Sequence, residues 1–321
     1  MKNKTLSICI ATYNRANFIG YTLDSIVTQI TDDVEIIIVD GASTDNTEDI
    51  VNDFIIKYSH IRYIKLQHKG GVDQDYSIAV EHAKGKMCFL FTDDDYLKPG
   101  SLKKIIELCS LDYSLIILNS EVRDCTMKNI LTSKMLKLEK DLELIGSDLN
   151  TLFFNVMPYI SFIGSIIIDR QEWEARNKSN YFNTEFIHVG VIFQKPFNNN
   201  ILIRTEIDIS IRHGNAQWSQ RSYEIWIIKW PKLIQSFNLI SYKNKKSYIS
   251  SSSLRRYRDI LVQRSKRAYN YHMFKKWHLK ENTNIIWKVL LLFSSFIPVY
   301  LLKIIISRYL KIKKIDNLNN G

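Results

Sequence analysis

No Cys-x-x-Cys pair occurs in the 321 residues, and the four cysteines, Cys9, Cys88, Cys109 and Cys125, are widely spaced. That spacing argues against a zinc ribbon or a disulfide-stapled scaffold, and three of the thiols lie in or beside apolar runs, as buried reduced cysteines do. The long apolar core and small-residue cleavage site of a secretory signal are also missing, because the chain enters the run LSICIAT at Leu6. A reducing cytosol is the expected compartment. The segment ATYNRANF after that run holds no glycine, so a Gly-rich phosphate loop is absent from the place where one would open a nucleotide fold. No internal repeat or low-complexity stretch breaks the chain. Acidic residues are the minority, 33 against 44 Lys and Arg, for a formal charge of +11. Such a balance suits an anionic partner such as lipid, nucleic acid or a phosphorylated substrate, or a solvated helical face, and charge alone does not choose among them.

What is present is an alternation. Leu6 to Thr12, Val34 to Asp40, Ile61 to Gln67, Met87 to Thr92 and Leu115 to Asn119 read as strands. Phe18 to Thr28, Asn46 to Tyr58, Asp73 to Ala83 and Leu102 to Leu111 read as helices between them. Continuous apolar strands such as EIIIVD, spaced by helices, predict an α/β fold with a doubly wound, mainly parallel sheet covered on both faces. Asp45 and Glu48 have the spacing of a capping box at the second helix. Ser161 to Asp169 is a further strand candidate, Trp173 to Asn180 a polar excursion, and Ile201 to Ile211 alternates as a half-buried strand does. Beyond Trp218 the chain turns aromatic, basic and helical. The expected organisation is a catalytic domain over 1–220, with a nucleotide part over 1–120 and an acceptor part over 121–220, then a helical basic extension over 221–321.

In doubly wound sheets the ligand sits beyond the carboxyl ends of the strands. Thr12, Tyr13, Asn14 and Arg15, then Asp40, Gly41 and Ser43, then Lys69 to Asp75, then Asp93 to Asp95 therefore belong to one rim. Three successive aspartates after an apolar strand raise one another's pKa unless a cation neutralises them. A hard divalent ion, Mn²⁺ or Mg²⁺, that also grips a diphosphate answers both needs, with Asp93, Asp94 and Asp95 as ligands. Asp40, ending a buried strand, can accept hydrogen bonds from a base ring or a ribose hydroxyl, or cap its own turn. Glu185 and His188 in NTEFIHVGVIF stand three residues apart, close enough to share a helix face, and either could take a proton. Arg212 and His213, before a Gly-Asn turn, can close over a departing diphosphate. Lys69 is a weaker phosphate candidate.

SICIATYNR, EIIIVDGASTDNT and TDDDYLKPG resemble the three successive signatures of family-2-type glycosyltransferases with the GT-A fold, and the resemblance covers roughly the first 110 residues. KGGVDQDYSIAVEHAKGK is most similar to abequosyltransferase-type enzymes of O-antigen and capsule synthesis. The resemblance implies inverting transfer of a sugar from a nucleotide-sugar donor to a lipid-linked saccharide acceptor. Thr12, Tyr13, Arg15 and Asp40 would contact the nucleotide, Asp94 would be the main metal ligand, and Glu185 would be the base. Thr92 stands where the pattern has its first acidic residue, and Asp75, Tyr76 and Ser77 stand where many relatives carry Ala-Arg-Asn, so donor contacts would come from Asp73 and Asp75.

From Ile285 to Ile306 runs IIWKVLLLFSSFIPVYLLKIII, broken by Lys288, Pro298 and Lys303 and followed by Arg308, Lys311, Lys313 and Lys314. A spanning helix needs about 20 predominantly apolar residues, so an interfacial segment over about 285–310 is expected, with a core helix pair packed on the catalytic domain as the alternative. The interfacial segment would hold the chain peripherally on the inner, cytoplasmic face of the cell membrane, against an anionic surface. No nucleic-acid partner is expected. Two other classes stand beside this reading: a metal-dependent nucleotidyltransferase, which would want the missing Gly-rich loop, and a non-enzymatic membrane-associated saccharide-binding module, which would leave the aspartates idle.

Overall fold

Short apolar runs build the sheet, and polar residues at their ends stop it. In a computed structural model that describes residues 4–249, 253–280 and 284–306, β1 (Leu6–Thr12), α1 (Ile19–Val27), β2 (Val34–Asp40), α2 (Thr47–Lys57), β3 (Ile61–Lys65), α3 (Val72–Glu81) and β4 (Met87–Phe91) follow one another. Then come β5 (Tyr96–Leu97), α4 (Ser101–Cys109), β6 (Tyr113–Arg123), β7 (Ile130–Thr132), β8 (Leu142–Leu144), α5 (Leu149–Val156), β9 (Ile166–Asp169), α6 (Arg170–Glu174), α7 (Ile187–Gln194) and β10 (Asn200–Arg212). The sheet runs β3-β2-β1-β4-β9-β6-β10-β5, with β7 on β6 and β8 on β10. β3, β2, β1 and β4 are parallel, as are β6 and β10. β9 joins the two parallel groups by pairing antiparallel with both β4 and β6.

Alternation along each strand sends side chains to both faces. On one face Ile8, Ile10, Ile36, Ile38, Phe89 and Phe91 meet Ile19, Leu23 and Ile26 of α1, Val51 of α2, and Leu102 and Ile105 of α4. Each such side chain, fully removed from water, contributes about 1.5–3 kcal/mol before entropy is charged against it. α3 lies on the sheet through Tyr76, Ala79 and Val80, and the Tyr76 hydroxyl donates to the Phe91 carbonyl at 2.8 Å. Cys9, Cys88 and Cys109 are buried free thiols, and Cys125 is exposed.

Three elements differ from the sequence expectation. The capping box at α2 does not form: Asp45 accepts from the Thr47 N–H at 3.1 Å and the Ala16 N–H at 3.1 Å, while Glu48 pairs with Lys65 at 2.5 Å. β6 continues past Asn119 to Arg123, because the buried polar residues there have partners. Asn119 donates to the Leu136 and Thr205 carbonyls at 2.9 and 3.1 Å, and its oxygen accepts from Ser120 and Leu136 N–H, both at 2.9 Å. Part of the polar excursion after Asp169 is α6, which is capped by Asp169 and buries Trp173.

Two compact units divide the chain: Met1–Asn215 with Phe237–Asn244, and Ala216–Ser236 with Lys245–Gly321. The sheet and all the rim residues lie in the first. Later helical elements are a π-helical stretch at Glu224–Lys229, α8 (Trp230–Gln235), α9 (Tyr242–Ile249), α10 (Ser253–Ser265), α11 (Tyr271–Trp277), α12 (Ile285–Ser294) and α13 (Val299–Ile306). The second unit has its own core of Tyr223, Ile228, Ile260, Ala268, Tyr269, Phe274 and Leu291, with Trp287 and Leu292 packed on it. Inside it the Tyr223 hydroxyl bonds to His278 Nε2. α12 and α13 meet at a 97° bend, and no single helix among the described residues is long and apolar enough to cross a membrane. Arg308, Lys311, Lys313 and Lys314 lie outside the described residues.

Gly85, just before β4, makes the tightest backbone approach to β1. A Cβ there would stand 2.6 Å from the Ser7 nitrogen and 2.7 Å from the Leu6 carbonyl carbon, and the Gly85 N–H donates to Ser7 Oγ at 2.8 Å. Because backbone cannot give way as a side chain end can, Gly85→Ala should cost about 1–3 kcal/mol, read as a lowered denaturant midpoint with an unchanged slope.

Candidate active site

The loops leaving β1, β2, β4 and β10 are tied to one another at one rim of the sheet. Asn14 (φ 52°) and Ala42 (φ 67°) hold left-handed backbone in the first two, an arrangement kept up by cross-loop bonds. Ser43 Oγ accepts the Asn14 N–H and Thr47 Oγ1 accepts the Arg15 N–H, each at 2.8 Å. Non-glycine residues held at positive φ cost of order 1–3 kcal/mol and concentrate where a site is pre-shaped.

Asp40 is fully buried at the end of β2, where its Oδ1 accepts the Ser43 N–H at 2.6 Å and its Oδ2 the Tyr63 hydroxyl at 2.5 Å. Tyr63, which the sequence did not single out, thus orients the Asp40 carboxylate. Asp75 of α3 is 4% exposed, and its Oδ1 has no hydrogen-bond partner. A Cβ on Gly41 would lie 2.9 Å from Asp75 Oδ2, so glycine after Asp40 is what lets this second carboxylate close on the turn. Burial, and then repulsion from Asp40, pushes the Asp75 carboxyl up to about 7. Thr12 is buried at the head of the rim, and the Lys69 ammonium stands 3.4 Å over the Tyr13 ring.

After β4, Arg15 bridges the first two aspartates, with Nε 3.3 Å from Asp93 Oδ1 and Nη2 3.2 Å from Asp94 Oδ2. Burial and the Asp94 charge push the Asp93 carboxyl up to about 7 in spite of Arg15, and burial raises Asp94 as well. Asn215 closes the group from the loop beyond β10: its Nδ2 donates to Asp94 Oδ2 at 2.7 Å and its carbonyl accepts from Arg15 Nη1 at 3.1 Å. The sequence showed it only as part of a Gly-Asn turn. Asp95 has a different task from the expected ligation. Its Oδ1 accepts the Arg212 N–H at 2.7 Å and its Oδ2 the Thr92 hydroxyl at 2.5 Å, so it pins β10 to the aspartate loop and explains the threonine at 92. Arg212 Nε donates to the Asp94 carbonyl at 3.0 Å and Nη1 to the Cys125 carbonyl at 2.7 Å. His213 is exposed at the start of the following turn.

Among the described residues no three His, Cys, Asp or Glu side chains form a ready metal cage. Asp93 and Asp94 instead fit a hard ion held by one or two carboxylates and completed by substrate phosphates and water, the habit of Mg²⁺.

The expected pair Glu185 and His188 does not share a helix face. Glu185 stands before α7 in left-handed backbone (φ 71°), half-buried at the rim side of the helix start. Asp73 fixes it there, since one carboxylate oxygen accepts the Glu185 N–H at 2.8 Å and the other the Ile187 N–H at 2.9 Å. Asp73 thereby caps α7 from α3, a helix-terminus role and not the donor contact expected of it. His188 lies in the core, 1% exposed, where its Nε2–H donates to the Ile160 carbonyl at 2.9 Å. Burial pushes its pKa down to about 3, so it is a neutral internal histidine out of reach of an acceptor hydroxyl.

A carboxyl whose folded pKa lies above its unfolded value binds protons more tightly when folded, so it destabilises the fold progressively as pH rises from about 4 through about 7. Asp75 and Asp93 both do this. Without ligand, Asp75→Asn should therefore raise the thermal midpoint at pH 8 by at least about 2 °C, the worth of ~1 kcal/mol in a domain of this size, with little change at pH 4. A lower midpoint at pH 8 would mean that Asp75 is held charged by a favourable partner.

The model of the family described as glycosyl transferase family 2 matches residues 7–166. The abequosyltransferase RfbV of Salmonella typhimurium is 26% identical over 205 residues, 60% of this chain and 62% of that protein. The GalNAc(5)-diNAcBac-PP-undecaprenol beta-1,3-glucosyltransferase of Campylobacter jejuni is 25% identical over 194 residues, 60% of this chain and 61% of that one. The chain thus spans about three-fifths of the length of these relatives. Among solved structures, TarS 1–349 of S. aureus in complex with UDP superposes with a TM-score of 0.55 at 15% identity, over 84% of this chain and 82% of that one, a likeness of fold. The motifs on the rim, the matched residues and the shared GT-A architecture agree: the chain belongs to glycosyl transferase family 2.

Proposed function

We propose that the protein is an inverting glycosyltransferase that moves a sugar from a nucleotide-sugar donor to a lipid-linked saccharide acceptor in bacterial O-antigen or capsule synthesis. The observation that carries this reading is the pair of buried Asp93 and half-buried Asp94, bridged by Arg15 and standing at the same rim as Asp40. Asp40, with Thr12 and Tyr13 beside it, serves the nucleoside, and Asp75 is a second acceptor for donor hydroxyls or ring N–H groups. Asp94, helped by Asp93, would hold Mn²⁺ or Mg²⁺, whose charge would stabilise the departing diphosphate as a Lewis acid. Glu185 takes the proton of the acceptor hydroxyl as its oxygen bonds to the anomeric carbon and the bond to the diphosphate oxygen breaks. Arg15 and Arg212 supply positive charge to that oxygen, His213 offers it a ring N–H, and the loop after β10 keeps water out. The relatives' names support the substrate classes, one an abequosyltransferase and one acting on a PP-undecaprenol saccharide.

An interfacial position on the inner membrane face accords with the second unit. Leu291 of α12 is buried, whereas Ile285, Ile286, Phe293, Phe296, Tyr300 and Ile305 are 61–70% exposed. A helix with one face in its own core and apolar side chains on the other lies in an interface more readily than across a bilayer.

Asp94→Asn should lower metal-dependent transfer at least about 100-fold, the scale of losing one transition-state charge contact, while the melting profile is retained. Glu185→Gln should lower transfer by about 10²–10⁴ and leave nucleotide-induced stabilisation intact. Full activity in either variant removes that residue from its role. A chain ending at Asn284 should fail to sediment with anionic vesicles that carry down the full chain at low salt, and equal sedimentation of both assigns the anchor elsewhere.

A further inference from the structure

Behind the aspartate loop, in the first unit, lies an open cleft of about 600 Å³ whose lining includes Tyr21, Tyr96, Lys98, Glu121, Arg123 and Arg212. Three cations and one carboxylate share that lining. Glu121 is 4% exposed and organises two of them: Arg123 Nε donates to its Oε1 at 2.7 Å, Lys98 Nζ stands 3.8 Å away, and the Ser210 hydroxyl donates at 2.6 Å. Burial works against the Glu121 charge, but the bonds from Ser210 and Arg123 hold its carboxyl below the usual range, so it stays anionic and keeps the cations in place.

The guanidiniums are fixed in position and incompletely used. Arg123 commits Nε to Glu121 and Nη1 to the Met127 carbonyl at 3.1 Å. Arg212 commits Nε to the Asp94 carbonyl and Nη1 to the Cys125 carbonyl. Neither Nη2 has a partner among the described residues. The wall that carries Thr126 and Met127 is itself braced, because Asp124 accepts from Thr126 Oγ1 at 2.8 Å, Lys128 N–H at 3.1 Å and Asn129 Nδ2 at 2.6 Å. Guanidinium donors held in advance bind phosphate oxygens in pairs with little further ordering, and two tyrosines in the same lining offer flat faces to a sugar or an apolar chain.

We propose that this cleft binds a phosphate or diphosphate group of the acceptor. The proposal rests on the glycosyl-transfer reading and deepens it: Arg212, at the end of β10, lines the cleft and is hydrogen-bonded to Asp94 and Asp95, so an acceptor anchored here through its phosphate is held next to the transfer site. A donor diphosphate has the same chemistry and is the competing source.

Titration of the full chain with inorganic pyrophosphate, without divalent cation and followed by heat of binding, tests it. Lys98→Gln/Arg123→Gln is expected to weaken the pyrophosphate Kd at least tenfold. Arg123→Lys keeps the pair with Glu121 but loses the fork, so an intermediate weakening at an unshifted melting temperature separates ligand loss from misfolding. In a second arm a nucleoside diphosphate with Mn²⁺ should stabilise wild type and the double variant equally against heat. Pyrophosphate binding that is absent in wild type, or unchanged in the double variant, overturns the proposal. Loss of nucleotide stabilisation in the double variant also overturns it, by giving the cleft to the donor. Absence of nucleotide stabilisation in wild type counts against the transferase reading instead, and leaves the pyrophosphate arm to decide the cleft. Finally, a polyprenyl diphosphate in detergent should bind wild type and lose affinity in the double variant in parallel with pyrophosphate. If it binds both proteins equally, the acceptor assignment fails.

Discussion

The Arg15 guanidinium between Asp93 and Asp94 is the contact on which the rim depends. Two neighbouring carboxylates taken out of water are unfavourable unless a cation stands against them, and Arg15 reaches both from the loop after β1. Its own backbone N–H is held by Thr47 and its Nη1 by the Asn215 carbonyl, so the first, second and last strands' loops are brought to the aspartates by one side chain. A binding site made this way is charged but incomplete. It has an anionic pair with raised proton affinity and a single bridging cation, an arrangement that a phosphate-bound metal ion can relieve.

The same economy governs the start of α7. Asp73 satisfies two orphan N–H groups at the start of α7, and in doing so holds Glu185 in a backbone conformation that few residues adopt unaided. Asp73 and Asp75 lie on one turn of α3, the first directed to the Glu185 backbone and the second to the Asp40 turn. The Asp40 turn and the Glu185 segment therefore share one element, and movement of α3 would disturb both.

Much of this was legible in the sequence because it follows from local pattern. Apolar runs ending in polar residues placed β1, β2 and β4 within a residue or two of their observed ends, since a strand buried on both faces must be apolar throughout. The order of the rim residues along the chain followed at once. Less legible were β6 beyond Asn119, whose polar residues belong in a strand only because Leu136 and Thr205 complete their hydrogen bonds, and the return of Phe237–Asn244 to the first unit.

The sequence by itself determined the α/β alternation, the parallel groups, the family and the set of carboxylates at the sheet's rim, because periodicity and motif spacing are properties of neighbouring residues. Tertiary structure alone decided which carboxylate does what. Asp93 and Asp94 face Arg15, whereas Asp95 turns to Thr92 and Arg212. Glu185 remains at the rim and His188 three residues on is sealed in the core. Burial and partners brought together by the fold set those differences, as the 117-residue separation between Asp95 and Arg212 and the 112-residue separation between Asp73 and Glu185 illustrate, and no local pattern encodes a partner at such a distance.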